Sequence, residues 1–426
     1  RFPLQHENRM YAPHASGSSR LPLPMTTFPL ALPSDATIPD YGDGGLYRLA
    51  REMRDWLHDE AAAWPLAGVG AGERALVVLL VIDGLGDNFL ARHGAGGALR
   101  AHRAGRLSSV FPSTTASAVT TLMTGLAPAQ HGLNGWFIHD RRFGGVIAPL
   151  PLQRRGNGPL EAVALLPRLF PYPSAFAGAC RPVVVVSPAE IAGSGFSRRH
   201  SRGARVRPYR SLAGLEEAVV AEAQALRASG GLVHAYYSSF DALSHQFGCQ
   251  SEEVLSCFAH IDAFFTRLVA RLEGTGARLL LTADHGFIDV PDERALQLAA
   301  WPGVAAMLEA PLFGERRAAF CAVREGAAAE FAAWAASELG GRAVLVEAAA
   351  LRRSGLLGPG RPHRRLAERV GSHVLLMEAG WTIADRVEGE KPVSMRGVHG
   401  GLSADGMWVP LVRVSAGLRR AAPAAP

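Results

Sequence analysis

Apolar runs and amphipathic stretches take turns along the chain, and this pattern predicts alternating strands and helices. The run at 75–82 is uninterrupted and ends at Asp83, as expected for a strand that is buried on both faces. Further strands of this kind are predicted at 183–186, 232–237 and 279–282. Helical periodicity separates them at 215–227 and 252–272. The alternation predicts an α/β fold with a mostly parallel central sheet that helices cover on both sides.

The N-terminal end and a stretch in the second half of the chain depart from this pattern. Residues 1–40 are rich in proline, serine and histidine without periodicity, so we predict an irregular arm. After Asp289 the elements become short and mixed, with predicted strands at 318–323, 343–346 and 374–377 and a predicted helix at 327–339. We therefore predict an α/β core formed by 41–295 and 386–426, interrupted by a small α+β subdomain at 296–385.

Composition indicates a folded chain and limits its partners. The 426 residues are 48% hydrophobic and 19% charged, which argues against a largely disordered chain. The net charge is +6, and six arginines lie close together in a predicted loop that contains Gly203 and Pro208. They are Arg198, Arg199, Arg202, Arg205, Arg207 and Arg210. This loop could attract anions or be an ordinary solvated surface. It lacks interleaved aromatic residues, so we expect no nucleic-acid polymer as a partner.

The cysteines and the hydropathy pattern bear on the compartment. The four cysteines show no paired spacing, which favours neither a cysteine-bound zinc nor a disulfide framework and is typical of a reducing compartment. No apolar run approaches the roughly 20 residues that a membrane-spanning helix needs, and the first 40 residues lack a signal-peptide pattern. We therefore expect a cytoplasmic protein without a transmembrane segment. Because the chain begins at Arg1, a leader that is removed stays open, and the sequence predicts no oligomeric state.

Polar residues directly follow the predicted strands, where ligands bind in parallel sheets. Asp83 ends the first apolar run. Asp241 and His245 follow the third run, and their spacing of four would place both on one face of a helix. Asp284 and His285 follow the fourth run. Taken singly, each has an ordinary interpretation as a turn residue, a helix cap or a surface histidine.

Two further segments carry candidate chemistry. His399 lies in the glycine-rich GVHGGLS, and alone it is as well explained by a structural or exposed role. Thr115 lies near the start of a predicted helix, where free N–H groups favour a phosphate, although a helix N-cap explains a threonine there too. Three aspartates, three histidines and this threonine together suit two zinc ions with open positions for a substrate.

The motifs VIDGLG, PSTT followed by TGLAPAQHGL, DALSHQFG, TADHG and GVHGGLS occur in this order over about 75–409. In these motifs the chain resembles the alkaline phosphatase superfamily and, within it, the type I phosphodiesterase and nucleotide pyrophosphatase family. The resemblance implies an alkaline-phosphatase-like three-layer sandwich with a mostly parallel sheet and a small α+β insertion. It also implies a hydrolase that cleaves phosphodiester or pyrophosphate bonds of small phosphoesters through a covalent phospho-threonine, with two divalent metal ions, expected to be Zn²⁺.

The resemblance also assigns the site residues. It implies that one metal ion is bound by Asp83, Thr115, Asp284 and His285. It implies that the other is bound by Asp241, His245 and His399. The family places a Thr-Gly pair nine residues beyond the nucleophile, and Thr124-Gly125 matches Thr115 in this respect, which leaves Thr114 as the alternative nucleophile.

Departures from the family pattern bear on the substrate. Relatives that cleave nucleotides follow the nucleophile with Phe-Pro-Asn, whereas Ala116, Ser117 and Ala118 stand here, so we expect weak nucleobase selectivity. Aromatic residues from elsewhere that could replace the missing ring are Trp136, Phe137 and Tyr209. A phosphomonoesterase or phosphomutase of the same superfamily would keep the same seven residues and stays an alternative. A non-catalytic module that binds a phosphate ligand is the alternative outside enzymes, and it would be expected to have lost one of them.

Overall fold

The computed structural model describes residues 30–156, 158–390 and 394–415. Most of the predicted N-terminal arm, residues 1–29, lies outside the described residues, as does the end of the chain from 416. Residues 30–40 contain no helix and one isolated bridge, which pairs Ala36 with Ser403. The first helix of the described residues begins at Leu46.

The regular elements are numbered here in chain order. The strands are β1 (Leu76–Ile82), β2 (Arg103–Ser108), β3 (Ile138–Asp140), β4 (Gly145–Ala148), β5 (Gln153–Arg154), β6 (Gly158–Pro159), β7 (Val183–Pro188), β8 (Arg205–Tyr209), β9 (Gly231–Tyr237), β10 (Ala277–Thr282), β11 (Ile288–Asp289), β12 (Ala295–Gln297), β13 (Phe313–Glu315), β14 (Ala318–Cys321), β15 (Ala343–Glu347), β16 (His373–Met377), β17 (Thr382–Ala384), β18 (Gly397–Val398) and β19 (Trp408–Ser415). The α-helices are α1 (Leu46–His58), α2 (Asp87–His93), α3 (Ala98–Ala101), α4 (Thr115–Thr124), α5 (Pro128–His131), α6 (Leu165–Leu169), α7 (Ala189–Ala192), α8 (Gly195–His200), α9 (Leu212–Leu226), α10 (Ser239–Phe247), α11 (Glu252–Leu272), α12 (Pro302–Ala306), α13 (Ala328–Glu338), α14 (Ala348–Arg353), α15 (Leu366–Val370) and α16 (Ala404–Met407). Within the described ranges, none of these helices has the length and apolar character needed to cross a membrane.

The central sheet has the strand order β2-β19-β10-β1-β9-β7-β8. Strands β10, β1, β9, β7 and β8 are parallel, whereas β19 lies antiparallel between β10 and β2. Strand β1 consists of leucine, valine and isoleucine alone and is buried at every position, as the apolar run predicted. Helix α9 packs against β1, β7 and β9, and α11 packs against α9. The predicted α/β fold with a mostly parallel sheet is confirmed.

A second, antiparallel sheet forms in the segment that the sequence singled out as mixed in character. Its strand order is β13-β14-β16-β15. Strands β14, β15 and β16 and helix α13 lie where the sequence predicted three strands and a helix. Phe331 and Trp334 of α13 pack with Leu375 of β16 in a hydrophobic cluster of their own. The division of the chain into a core and an inserted subdomain stays a prediction.

One local feature was not predicted, and one local prediction differs from the structure. Strands β3, β4, β5 and β6 form a four-stranded antiparallel sheet, which the sequence did not indicate because strands of two to four residues are too short to show alternation. The arginine-rich segment 198–210 is not a loop, since it contains the end of α8 and the edge strand β8. Arg199 donates hydrogen bonds to the carbonyls of Phe170 and Tyr172, and Arg205 pairs with Glu222. Charged side chains are common on edge strands, where they discourage pairing with other chains.

Candidate metal centre

The carboxyl ends of three neighbouring parallel strands lie side by side at one edge of the central sheet. Val81 near the end of β1 pairs with Thr282 at the end of β10, and Ile82 pairs with Tyr237 at the end of β9. The residues that follow these strands therefore meet at the same edge. This arrangement brings Asp83 together with the segments that carry the other predicted aspartates.

A tight turn after β1 fixes Asp83. Gly84 has a φ of 78°, and a Cβ atom built there would lie 2.4 Å from the ring of Phe287, so the turn requires glycine. The Gly84 N–H donates to Asp284 Oδ1 at 3.1 Å, which ties the two strand ends together. Tyr236 donates its hydroxyl proton to Asp83 Oδ2. The other oxygen, Oδ1, is buried without a hydrogen-bond partner.

Helix α10 follows β9 and presents Asp241 and His245 on one face. The Nδ1 atom of His245 lies 2.9 Å from the Gly397 carbonyl oxygen, which can only accept, so the proton is on Nδ1 and the Nε2 lone pair is free. That Nε2 lies 3.6 Å from Asp241 Oδ1 and 3.2 Å from His399 Nε2. His399 follows β18, and the next N–H, that of Gly400, donates to the Ser113 carbonyl at 2.9 Å.

His285 lies at the centre of the aspartates. Its Nε2 is 3.3 Å from Asp83 Oδ1, 3.5 Å from Asp284 Oδ2 and 3.9 Å from Asp241 Oδ1. Thr115 Oγ1 is 3.1 Å from the same nitrogen. Thr115 is the first residue of α4, so its hydroxyl lies where the first turn of the helix offers free N–H groups. The seven residues singled out in the sequence thus lie in one cluster.

The ligand atoms of this cluster fall into two overlapping groups. The ligand atoms of Asp241, His245 and His399 all lie within 4.8 Å of one another, and those of Asp83, Asp241 and His285 do so as well. Asp241 belongs to both groups, whereas the family resemblance places it only with His245 and His399. Its oxygen lies between the two groups, within reach of either position. The assignment of each side chain to one metal ion stays a prediction.

The chemistry of these residues fits bound cations. Buried oxygens without a hydrogen-bond partner point into the cluster from all three aspartates, Asp83 Oδ1, Asp241 Oδ1 and Asp284 Oδ2. Burial raises the pKa of Asp83 well above its usual value, and the charges of Asp241 and Asp284 raise it further. Burial and the charge of Asp284 likewise raise the pKa of Asp241. A divalent cation would stabilise these crowded carboxylates, because its charge offsets their mutual repulsion and the oxygens that lack a hydrogen bond can coordinate it.

The histidines are in the form that binds metal. Burial lowers the pKa of His245 to about 4. Burial also lowers the pKa of His285, and it lowers that of His399 well below its usual value, with a further contribution from the neighbouring histidines in the case of His399. All three imidazoles are therefore neutral at pH 7, as metal ligation requires.

A cavity of ≈ 1440 Å³ opens beside the cluster. Thr115, Trp136, Phe137 and Glu315 contribute to its lining. Trp136 is 43% exposed and is an aromatic surface in the same cavity as Thr115. Tyr209, the other aromatic residue considered from the sequence, is buried and donates to the Tyr236 carbonyl, so it does not take part.

Glu315 is a residue of the site that the sequence did not indicate. Its Oε1 accepts hydrogen bonds from the Thr114 hydroxyl at 2.6 Å and from the backbone N–H of Trp136 at 2.6 Å. Enclosure by the protein raises its pKa to about 7, although both hydrogen bonds act in the opposite direction. It belongs to no recognisable motif and lies 201 positions from Thr114. Only the folded chain brings it to the start of α4.

Similarity to known proteins identifies the family of the chain and its fold. Residues 77–150 and 175–402, more than half of the chain, match the family described as type I phosphodiesterase / nucleotide pyrophosphatase. A stretch of 62 residues is 39% identical to an alkaline phosphatase PhoD of Zymomonas mobilis and spans 14% of this chain and 11% of that relative. The fold is similar to that of murine ectonucleotide pyrophosphatase/phosphodiesterase 5, with a TM-score of 0.58 and 16% identity over 79% of this chain and 87% of the other. It is also similar to that of phosphonoacetate hydrolase from Sinorhizobium meliloti, with a TM-score of 0.57 and 18% identity over 83% and 92%.

Proposed function

Because the chain belongs to the type I phosphodiesterase and nucleotide pyrophosphatase family of phosphoester hydrolases, we propose that it hydrolyses phosphodiester or pyrophosphate bonds of small phosphoesters with Thr115 as nucleophile. The observation that carries the proposal is the position of the Thr115 hydroxyl. It lies at the start of α4 and 3.1 Å from His285 Nε2, beside three aspartates with unpartnered oxygens. A nucleophile, a cation site and helix N–H groups thus share one end of the cavity.

We further propose that two divalent ions, expected to be Zn²⁺, occupy the cluster. Asp83, Asp284, His285 and Thr115 would hold one, and Asp241, His245 and His399 the other. When bound, such ions supply positive charge that lowers the pKa of the Thr115 hydroxyl and offsets the charge of the phosphate oxygens. The His245 tautomer, fixed by the Gly397 carbonyl, keeps Nε2 ready to ligate.

In the proposed reaction, Thr115 Oγ1 loses its proton to solvent and forms a bond to phosphorus while the bond from phosphorus to the leaving oxygen breaks. The leaving oxygen takes up a proton from solvent. Water then attacks the phospho-threonine from the vacated side, the bond from Oγ1 to phosphorus breaks, and the hydroxyl regains a proton. By position, the N–H groups of Thr115 and Ala116 have no acceptor within α4 and are free to donate to the non-bridging oxygens.

A preference for diesters over monoesters is part of the proposal. The charges of two divalent cations are matched by Asp83, Asp241, Asp284 and an ionised Thr115, so no excess positive charge remains for the second negative charge of a monoester. A phosphomonoesterase or phosphomutase would use the same ligands, and the substrate comparison below separates it from a diesterase.

The test compares turnover of bis(p-nitrophenyl) phosphate and p-nitrophenyl phosphate by zinc-loaded protein. We expect the diester to be hydrolysed with the higher kcat/KM. Thr115→Ala should abolish turnover while it keeps the fold and most of the bound zinc, because the six other side chains remain. A faster monoester reaction would place the protein among phosphomonoesterases or mutases. An active Thr115→Ala variant would contradict the assigned nucleophile.

A further inference from the structure

Glu315 connects the antiparallel sheet to the start of the nucleophile helix. It is the last residue of β13, yet its Oε1 accepts both from the Thr114 hydroxyl and from the Trp136 N–H, each at 2.6 Å. Thr114 directly precedes Thr115 in the chain, and Trp136 lines the same cavity as Thr115. A single carboxylate oxygen therefore joins three segments that are distant in the sequence.

The contact with Thr114 changes how α4 begins. Thr114 is the N-cap of α4, with extended backbone dihedrals of φ −145° and ψ 153°, but its side chain makes no capping hydrogen bond. A threonine at this position ordinarily accepts from an N–H group of the first turn. Here the hydroxyl points to Glu315 and donates to it instead. Of the two N–H groups that such a hydroxyl can occupy, that of Ser117 donates to the Thr114 carbonyl at 3.1 Å, whereas that of Ala116 is left for a ligand. A phosphate at a helix N-terminus uses such a group.

The Glu315 side chain has little freedom to move. A Cβ atom built on Gly400 would lie 2.5 Å from both Glu315 Cβ and Glu315 Cγ, so the His399 loop passes directly over it. Gly314 exchanges two backbone hydrogen bonds with Phe137, at 2.8 and 3.3 Å, which fixes β13 against the Trp136 segment. The acceptor is thus held from the side of the metal cluster and from the side of the cavity.

We propose that Glu315 is a positioning residue, which draws the Thr114 hydroxyl away from α4 so that the helix N-terminus is open to the reacting phosphate, and which fixes Trp136 at the cavity wall. The inference rests on the proposed hydrolysis at Thr115. Glu315 does not touch the reacting atoms. Its contribution comes through Thr114 and Trp136, and it requires an acceptor oxygen rather than a charge.

The experiment uses zinc-loaded full-length protein and orthophosphate as the probe of the helix N-terminus. Orthophosphate affinity is measured by titration calorimetry. The values of kcat and KM are measured from hydrolysis of the bis(p-nitrophenyl) diester. We expect Glu315→Ala to weaken orthophosphate binding about tenfold, equivalent to about 1.4 kcal/mol, and to lower kcat by a similar factor. Glu315→Gln keeps a carbonyl oxygen at the same place and should stay within about twofold of the wild type in both. Glu347→Ala, on the exposed end of β15 in the same sheet, is the matched control and should change neither.

A double variant tests directly whether the Thr114 hydroxyl and orthophosphate compete for the start of α4. Without Glu315 the Thr114 hydroxyl is free to cap α4, so Thr114→Val combined with Glu315→Ala should bind orthophosphate more tightly than Glu315→Ala alone. Glu315→Leu, which fills similar space without an acceptor, replaces the alanine variant if that protein does not fold. Zinc content should be unchanged in every variant, which separates positioning from damage to the metal cluster.

Three results would overturn the inference. The first is unchanged orthophosphate affinity and kcat in Glu315→Ala, and the second is a Glu315→Gln variant as impaired as Glu315→Ala. The third is a double variant that binds orthophosphate no more tightly than Glu315→Ala alone. The phosphate titration does not depend on turnover. A wild-type protein that binds orthophosphate but hydrolyses no ester would therefore contradict the proposed function, while the variants would still decide the role of Glu315.

Discussion

Gly84→Ala is expected to be among the more damaging single-methyl changes near the site. At a φ of 78° an alanine adopts the left-handed region at a cost of about 1–2 kcal/mol. Its Cβ would lie 2.4 and 2.9 Å from two ring atoms of Phe287 and 3.4 Å from the Asp241 Cα, and such overpacking costs about 1–3 kcal/mol more. We therefore expect Gly84→Ala to lower the free energy of unfolding by roughly 2–5 kcal/mol. Because the Gly84 N–H holds Asp284, zinc affinity should fall as well.

Gly72→Ala is the matched control for this prediction. Gly72 has a φ of 69°, but a Cβ atom there would have no neighbour within 4 Å, so only the backbone cost of about 1–2 kcal/mol applies. Urea unfolding midpoints of both variants and the wild type, measured without metal, give the comparison, and zinc titration gives the second readout. If Gly84→Ala is no less stable than Gly72→Ala and binds zinc normally, the described turn between Asp83 and Asp284 is wrong.

Three further outcomes are expected. His399→Ala should lose about one of two zinc ions, measured by metal analysis, and normal zinc content would place His399 outside the site. Thr114→Ala should lower kcat less than Thr115→Ala, and the reverse order would make Thr114 the nucleophile. A nucleoside-monophosphate aryl ester should have less than about fivefold the kcat/KM of a simple alkyl aryl diester, because Ala116 offers no ring; a larger advantage, approaching the roughly 1–3 kcal/mol of base stacking, would mean that Trp136 or Phe137 stacks on the base.

The parts of the fold that the sequence predicts are those whose apolar runs are long and fully buried. Strand β1 is predicted within one residue, and helix α11 at its observed bounds, because both are long enough for periodicity to show. Asp83, Asp241 and Asp284 could be singled out for the same reason, since each follows such a strand. Once strands are parallel and adjacent, the residues at their carboxyl ends meet without any further information.

Other features depend on contacts that a linear pattern does not show. The sheet β3-β4-β5-β6 consists of strands too short for alternation. The arginines of 198–210 suggested a loop, but neighbours such as Glu222 and the Phe170 carbonyl pair with them in the folded chain. Glu315 acts through Thr114 and Trp136, which are more than 170 positions away. Such partners follow from packing of the antiparallel sheet against the core, which no local propensity specifies.

Covalent modification of Thr115 by the phosphoryl group during turnover is the step on which the proposed mechanism depends. Zinc-loaded protein is mixed rapidly with the bis(p-nitrophenyl) diester, quenched in acid within the first turnovers, digested and examined by mass spectrometry. We expect a burst of p-nitrophenol, and a substituted phosphoryl group on Thr115 that is absent from Thr114 and from the Thr115→Ala protein. Full hydrolysis without any modification of Thr115 under conditions that trap a burst, or the modification on another residue, would contradict the mechanism.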